Sequence, residues 1–308
     1  MPEGDTIFRT AVTLEKAIGG QVVRSLRSPL PEIEARAPAV EGRPITRVEA
    51  RGKYLLVHFE DGSALLTHMK MTGSWHIYRP GERWQKSPRA ARVVIATDPF
   101  VAVCFAAPVV EMIPSGKVER HPALASLGPD LLRDDFDPIA ARTRLRERSH
   151  LTIAEALLSQ GALAGIGNVY KSEVLFLCRI DPFVPVSAIP DDVLDAAIAK
   201  ARELMAKNLD GGPRTTTGPR PFSPRGARPF VPRLAPRSFV YDRAGLPCLV
   251  CNTPVRVSRT LRRAPAEKPN AADLPASGGE SARTTFYCER CQREGATGTL
   301  PEILREPP

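Results

Sequence analysis

The sequence lacks any apolar run that approaches twenty residues, the length that a helix needs to cross a bilayer. It begins Met-Pro-Glu-Gly-Asp, without the basic and then apolar segments of a secretory signal peptide. Both absences argue against a membrane or secreted protein, so we expect no membrane partner and a cytoplasmic location. The composition, 43% hydrophobic and 25% charged over 308 residues, is that of a globular protein, for which two domains are the usual outcome.

The chain has too few acidic residues to balance its basic ones. Its formal net charge is +9 and its pI is near 9.5. Such an excess attracts polyanions, and DNA carries one charge per roughly 1.7 Å of axis. A basic surface also serves solubility, so charge alone is compatible with nucleic-acid binding without establishing it.

No histidine lies between the two close cysteine pairs of the C-terminal region, Cys248–Cys251 and Cys288–Cys291. Two-residue spacing within each pair lets both thiolates reach one metal, and four sulfurs make a closed tetrahedral zinc site. We therefore predict one structural Zn²⁺ on four cysteines. The stretch between the pairs is long, and its middle, Ala264–Gly279, is typical of an inserted flexible loop. The other two cysteines, Cys104 and Cys178, follow apolar runs and are expected to be inert core thiols.

Short apolar runs separated by turn residues dominate the first half and predict a β-sandwich. A helix over Asp5–Ala17 precedes them, and Glu60-Asp61-Gly62-Ser63 indicates a hairpin. The predicted strands are Tyr54–Phe59, Ala64–His68, Ser74–Tyr78, Arg92–Ala96 and Val101–Phe105.

From about Asp137 the pattern becomes helical. Thr152 and Glu155 form a capping-box signature, and a further helix is predicted from a cap at Asp191 to Gly211-Gly212. The turn Ala164-Gly165-Ile166-Gly167-Asn168 leads into a helix over Val169–Leu177. Its backbone N–H groups suit a phosphate, although a simple connector is the alternative.

The segment from Pro213 to Ser238 has no acidic residue but contains six arginines and seven prolines. This composition does not favour a helix and predicts an extended, mobile basic loop. A plain linker is the alternative.

The N-terminus offers a nucleophile. Removal of Met1 leaves Pro2 with a free secondary amine, and an α-amine has a reference pKa of about 7.7–8.0, so part of it is neutral at pH 7. Attack of this amine on a sugar C1′ yields an iminium that cannot be neutralised by deprotonation. The cation acidifies the C2′ hydrogen and promotes strand scission, and Glu3 is placed to donate or shuttle a proton.

Seven motifs occur in order along the chain and together identify a family. They are Met1-Pro2-Glu3-Gly4-Asp5-Thr6, Arg51-Gly52-Lys53-Tyr54-Leu55-Leu56, His68-Met69-Lys70-Met71-Thr72-Gly73, Leu127-Gly128-Pro129-Asp130, Ala164-Gly165-Ile166-Gly167-Asn168-Val169-Tyr170, Val240-Tyr241-Asp242-Arg243-Ala244-Gly245-Leu246-Pro247-Cys248 and Arg283-Thr284-Thr285-Phe286-Tyr287-Cys288. Across nearly its whole length the chain resembles the formamidopyrimidine-DNA glycosylase and endonuclease VIII family.

This resemblance implies an α+β, two-domain fold: an N-terminal β-sandwich with flanking helices and a C-terminal helix–two-turn–helix bundle with a Cys₄ zinc finger. We expect a catalytic domain over 1–136, a helical DNA-binding domain over 137–238, a finger over 239–295 and a tail over 296–308. The resemblance also implies Pro2 as nucleophile, Glu3 as acid/base and Lys53 as a catalytic lysine, with Asn168 and Arg283 on DNA phosphates.

Within the family, Glu3-Gly4 after Pro2 resembles the endonuclease VIII branch, whose members prefer oxidised pyrimidines. The chain departs from the family at Thr6, where an acidic residue is usual. It also reads Phe105-Ala106-Ala107-Pro108 where the purine branch carries an Arg–Phe wedge. Lys70 and Met71 are then the predicted void fillers, since an apolar residue replaces the stacking lost when a base flips out. Packing of Met71 in the sandwich core is the alternative.

The sequence therefore predicts a monomeric, bifunctional DNA glycosylase and AP lyase that acts on oxidised pyrimidines in double-stranded DNA by β,δ-elimination. It needs no organic cofactor. Two alternatives stay open. One is the same chemistry with 8-oxoguanine or formamidopyrimidine specificity, and the other is a protein that binds damaged DNA without chemistry.

Overall fold

The computed structural model of the chain describes residues 2–218, 236–259 and 284–293. It separates into two units, Met1–Arg133 and Asp134–Pro308. Most of the predicted basic loop, the Ala264–Gly279 insertion, Arg283 and the tail over 296–308 lie outside the described residues.

The N-terminal unit opens with helix α1 (Gly4–Ile18). Its buried apolar residues, Ile7, Ala11, Leu14 and Ile18, recur at three- and four-residue spacing and form one face. That face packs on the strand over Ile45–Arg51. The predicted N-terminal helix is thus confirmed.

Eight strands follow α1, and four of the five predicted ones coincide with the structure at both ends. In chain order the elements are β1 (Ser25–Arg27), α2 (Pro31–Glu34), α3 (Ala37–Val40), β2 (Ile45–Arg51), β3 (Tyr54–Phe59), β4 (Ala64–His68), β5 (Ser74–Tyr78), a 3₁₀ turn (Pro88–Ala90), β6 (Ala91–Ala96), β7 (Val101–Phe105), β8 (Val109–Ile113) and α4 (Pro122–Ala125).

The strands form two antiparallel four-stranded sheets, β1-β6-β7-β5 and β2-β3-β4-β8. The β3–β4 hairpin pairs Tyr54 with His68, and Asp61 closes its turn by accepting a hydrogen bond from the Ser63 N–H at 2.9 Å. Buried side chains of both sheets, such as Val57 and Ile95, share one core with α1. The predicted β-sandwich is confirmed.

The C-terminal unit is helical, with α5 (Pro138–Arg146), α6 (Ile153–Leu158), α7 (Asn168–Leu177), a 3₁₀ turn (Val186–Ala188) and α8 (Asp191–Ala206). Thr152 and Glu155 make the predicted capping box at the start of α6. None of the helices within the described ranges combines the length and the apolar run that a membrane crossing requires.

The predicted limits of the last helix are wrong. Pro190 is the N-cap, and Asp191 is the first helical residue, with its carboxylate 2.9 Å from the Arg146 Nε. The helix ends at Ala206, well before the glycine pair, and just beyond this end the Asn208 side-chain amide donates to the Leu204 carbonyl at 2.7 Å.

Helix α7 is the centre of this unit, and its residues are buried over almost its entire length. A short hairpin of β9 (Arg256–Ser258) and β10 (Thr285–Tyr287) packs beside it, with Phe286 opposite Val257. Phe176 of α7 stacks on Phe239 in the core that also contains the cysteine cluster.

Candidate active site and metal centre

Pro2 and Glu3 lie immediately before α1. Pro2 is partly exposed, whereas Glu3 is completely buried. Glu3 occupies the N-cap position in an extended conformation, and its carbonyl oxygen accepts the first helical hydrogen bond from the Ile7 N–H at 3.1 Å. Its carboxylate does not cap the helix. The local geometry therefore pairs a partly exposed proline with an adjacent buried carboxyl group.

The side chain of Thr6 contacts the carboxylate of its neighbour in the sequence. The Thr6 hydroxyl donates to the carboxylate of Asp5 at 3.4 Å, and Asp5 is almost wholly buried. A carboxylate thus lies in contact with the position where the family has an acidic side chain.

Lys53 is half-buried in the tight turn between β2 and β3. Gly52 in this turn has a φ of +57°, a conformation that favours glycine. The Gly52 N–H donates to Asp130 Oδ2 at 2.6 Å, and the Leu132 N–H donates to the other oxygen of the same carboxylate at 3.1 Å. Asp130 of the fourth motif therefore anchors the turn that carries Lys53.

His68 ends β4 directly opposite Tyr54, whose ring meets the imidazole edge-on at 4.9 Å. Burial, together with the nearby charges of Lys70 and Lys53, lowers the pKa of His68 to about 4. His68 Nδ1 accepts a hydrogen bond from the Lys70 N–H at 3.1 Å. The imidazole is therefore neutral at pH 7 and carries its proton on Nε2, which makes Nε2 a donor.

The loop between β4 and β5 presents Met71 to solvent. The Met71 side chain is 58% exposed, whereas its neighbour Met69 is buried in the sandwich core. Thr72 ties this loop to the β7–β8 turn by donating to the Ala106 carbonyl at 2.9 Å. The alternative that Met71 packs in the core is wrong, because that place belongs to Met69.

In the C-terminal unit, Asn168 is the first residue of α7, after an N-cap at Gly167. Its side chain is only 3% exposed, which is less than the resemblance led us to expect of a phosphate ligand. The Asn168 Oδ1 atom accepts a hydrogen bond from the ammonium of Lys171 at 3.0 Å.

The four predicted metal ligands come together, with the sulfur atoms of Cys248, Cys251, Cys288 and Cys291 all within 4.8 Å of one another. Cys248 lies 3.9 Å from Cys291, and Cys251 lies 3.4 Å from Cys288. Tetrahedral coordination at about 2.3 Å places sulfurs about 3.8 Å apart. The donor set and its spacing therefore fit one zinc ion.

The environment of these thiols also suits a cation. Burial raises the pKa of Cys288 to about 11, with a further rise from Cys251 and Cys248. Burial acts in the same direction on Cys251, but hydrogen bonds from Thr253, Cys288 and Cys291 together outweigh it and lower the pKa of that thiol to about 6. Four thiolates in one shell repel each other, and a divalent cation removes that cost.

The remaining two cysteines are structural, as the sequence indicates. Burial raises the pKa of Cys104 to about 12 and that of Cys178 to about 11, which keeps both as unreactive thiols.

The structure thus gathers Lys53 and Lys70 around His68 in one unit, and Asn168 and the cysteine cluster in the other. Sequence reasoning missed His68, Asp130 and the buried pair Lys171 and Glu173 on α7. His68 and Asp130 lie inside the ordered motifs of the sequence. Their roles become visible only from their hydrogen bonds, to the Lys70 N–H for His68 and to the Gly52 N–H for Asp130.

Comparison with known proteins first defines the class. Residues 1–108 match the formamidopyrimidine-DNA glycosylase N-terminal domain, and residues 127–218 match the formamidopyrimidine-DNA glycosylase H2TH domain. The fold is similar to that of Lactococcus lactis formamidopyrimidine-DNA glycosylase bound to DNA with an AP site. That structure has a TM-score of 0.73 and 22% identity, and the match covers 95% of this chain and 100% of the other.

Two curated relatives then narrow the class. The chain is 36% identical to a protein of Streptomyces coelicolor named probable endonuclease 8 2, over 98% of this chain and 99% of the relative. It is 32% identical to the DNA-(apurinic or apyrimidinic site) lyase Nei2 of Mycolicibacterium smegmatis, over 95% and 99% of the two chains. The chain belongs to the formamidopyrimidine-DNA glycosylase and endonuclease VIII family, and it is endonuclease VIII-like.

Proposed function

We propose that this protein is a bifunctional DNA glycosylase and AP lyase of base excision repair. The observation that carries the proposal is the full-length similarity to relatives named as an endonuclease 8 and as an AP lyase. Its partner is double-stranded DNA that contains a damaged base, towards which the net charge of +9 attracts the enzyme.

Pro2 is the nucleophile in this proposal. Its nitrogen bonds to C1′ as the bond between C1′ and the base breaks, and the base leaves with a proton that Glu3 supplies. The nitrogen then gives up its proton, and the C1′–O4′ bond of the sugar ring breaks as O4′ takes up a proton, which leaves an iminium. The iminium loses a proton from C2′ as the C3′–O bond breaks, and loss of a proton from C4′ breaks the C5′–O bond in a second elimination. Both strand ends then carry phosphate, and hydrolysis of the iminium releases the free amine.

Lys53, Lys70 and His68 bind the sugar–phosphate next to the lesion. Two ammonium groups and the Nε2–H of a neutral imidazole are all hydrogen-bond donors, and a phosphate provides only acceptors. Lys53 is the catalytic lysine that the resemblance implies, and the turn that carries it is fixed by Asp130, which accepts a hydrogen bond from the Gly52 N–H at 2.6 Å.

The C-terminal unit contacts the phosphates of the duplex through Asn168 and Arg283. The same unit binds one structural Zn²⁺ on its four cysteines. Zinc crosslinks the two short cysteine-bearing segments, which are too small to bury a stable core alone. We place the boundaries of the finger at 239–295, following the helical domain over 137–238 and the catalytic domain over 1–136.

Oxidised pyrimidines are the proposed lesions. Strand β8 begins at Val109, so only Ala106–Pro108 separate it from β7, and Ala106 is held on both sides by Thr72 and Ala90. A turn this short leaves no room for the wedge of the purine branch. Met71, exposed on the neighbouring loop, fills the space of the flipped base instead.

Borohydride trapping on duplexes with one abasic site tests the chemistry. The mature protein should form a covalent adduct, whereas Pro2→Gly or an N-terminal extension should bind the same DNA without forming one. A protein that binds but forms no adduct in any form is the non-catalytic alternative. Excision rates on 5-hydroxycytosine, dihydrouracil and 8-oxoguanine duplexes, measured in the same preparation, decide the lesion class.

A further inference from the structure

The side chain of Lys171 on α7 has no exposed surface, although it carries a charge. Its ammonium donates to three acceptors: Asn168 Oδ1 at 3.0 Å, the Thr284 carbonyl at 2.7 Å and Thr285 Oγ1 at 2.9 Å. An ammonium has three N–H donors, so these bonds use all of them. Removing a charged ammonium from water costs free energy, and an ammonium at the surface would not bear that cost. The burial of Lys171 therefore calls for an explanation.

The first of these bonds settles the orientation of the Asn168 carboxamide. Because Oδ1 faces Lys171, the NH₂ group lies on the opposite side of the amide. An NH₂ group only donates hydrogen bonds, so what it contacts must be an acceptor, such as a phosphate oxygen. Without Lys171, the carboxamide can turn over and present its oxygen to that phosphate, which repels it.

The other two bonds hold the first turn of α7 against β10. Thr285 is the first residue of β10 and is fully buried, and the adjacent Phe286 N–H reaches Ser172 Oγ at 3.5 Å. One ammonium thus links the glycine turn at Asn168 to the hairpin that carries the second cysteine pair. Displacement of the hairpin from α7 would break the two bonds from the ammonium to Thr284 and Thr285.

We infer that Lys171 is a positioning residue, which orients Asn168 and fixes the hairpin beside it so that both hold the DNA backbone together. This inference rests on the proposed function for its role in DNA binding. The link between the two elements stands on the geometry alone and can be measured in the free protein.

The test compares Lys171→Met with Lys207→Met. Methionine keeps most of the length of the side chain and removes the charge. Lys207 is an exposed residue of the same unit, and its ion pair with Glu203 lies within one turn of chain. At 25 °C, with both variants folded, Lys171→Met should slow single-turnover excision about tenfold or more. A loss of this size is expected when one charge-assisted hydrogen bond is removed. Lys207→Met should leave the rate within about twofold, as expected for an exposed pair.

A double-mutant cycle separates positioning from general damage. If Lys171 acts through Asn168, then Lys171→Met should have little further effect on DNA affinity and excision in an Asn168→Ala background. A second cycle that combines Lys171→Met with Thr285→Val should likewise give a loss of affinity and excision smaller than the sum of the two single losses. Purely additive losses in both cycles, or a Lys171→Met enzyme as active as the wild type, would overturn the inference.

Measurements on the free protein keep the inference independent of activity. In Lys171→Met, the side-chain amide signals of Asn168 should shift and the amides of Thr285–Tyr287 should exchange faster with solvent, while zinc content stays the same. If the wild type forms no adduct with abasic DNA, the proposed function fails, and these signals still decide whether Lys171 links the two elements. Unchanged signals and unchanged exchange reject the link whatever the enzyme does.

Discussion

At the scale of single residues, the surroundings of His68 decide its protonation state. Its pKa of about 4 lies below the ordinary value of 6.5, because burial and two lysines disfavour the imidazolium. The unfolded chain therefore binds a proton at a higher pH than the folded one. Stability that is fully present above pH 6.5 should be lost as the pH falls through 4.

We expect this one group to cost up to about 3 kcal/mol of unfolding free energy between pH 6.5 and pH 4. His68→Asn keeps an acceptor for the Lys70 N–H and removes the titration, so the variant should lose less stability over that range. Urea unfolding of both proteins at pH 7, 5.5 and 4.5 provides the comparison, and other groups cancel in the difference. Identical pH dependence in the two proteins would show that His68 is not held neutral.

Met69 and Met71 lie two residues apart and differ in burial, so their substitution should affect different properties, stability for Met69 and excision for Met71. Met69→Ala removes a buried side chain and should cost about 2–5 kcal/mol of stability. Met71→Ala removes an exposed one and should change stability by less than about 0.5 kcal/mol. Only Met71→Ala should slow excision at temperatures where both variants are folded, and thermal unfolding beside single-turnover kinetics measures the two effects. A Met71→Ala enzyme with the wild-type rate would remove Met71 from the proposed void-filling role.

At the scale of elements, α7 organises the C-terminal unit with a buried carboxylate as well as a buried ammonium. Glu173 accepts hydrogen bonds from the N–H groups of Phe239, Val240 and Tyr241 at 2.7–2.8 Å, and one from the Thr216 hydroxyl. Burial raises the pKa of Glu173, and the four donors act against that rise. The carboxylate thereby fixes the segment that leads into the first cysteine pair.

Glu173→Gln should therefore be strongly destabilising. One of its two acceptors becomes an NH₂ group facing backbone N–H donors, so buried donors lose their partner, at a cost of about 2–4 kcal/mol. Glu203→Gln, in an exposed cluster with Lys200 and Lys207, is the matched control and should cost less than about 1 kcal/mol. Chemical denaturation followed by far-UV circular dichroism measures both, and equal costs would contradict the role of Glu173.

At the scale of the whole molecule, the two units depend on different sources of stability. The sandwich has a shared core of two sheets and a helix, whereas the cysteine cluster lies beside a hairpin of two three-residue strands. Loss of the metal should therefore affect only the C-terminal unit. Both tryptophans, Trp75 and Trp84, belong to the N-terminal unit and report on it alone.

We expect elemental analysis to find about one zinc per chain, in line with four thiolate ligands. Removal of the metal by a chelator should weaken DNA binding and leave tryptophan emission unchanged; readdition of Zn²⁺ should restore binding. Cys104→Ser, outside the cluster, should bind zinc normally. Active protein without metal, or tryptophan emission that changes with chelation, would contradict this division.

Much of the local structure was predictable because its causes are local. Short apolar runs on either side of the Asp61 turn delimit β3 and β4 correctly, and capping chemistry marks the start of α6 at Thr152. The cysteine pairs of the cluster were predictable for the same reason, since two-residue spacing within each pair is a local requirement of coordination. Prediction failed at Asp191, where a distant arginine takes the carboxylate that was expected to cap a helix.

The sequence by itself determined the family, most strands of the sandwich and the two close cysteine pairs, and it predicts the nucleophile, because ordered motifs and short spacings encode them. Only the tertiary structure decided which strands pair, since β1 meets β6 across some seventy residues, from Ser25 to Ala96. Only the tertiary structure made His68 neutral, distinguished Met71 from Met69 and joined Lys171 to Asn168 and β10. Burial, charge and hydrogen-bond partners arise from groups far apart in the chain, and they exist only once it has folded.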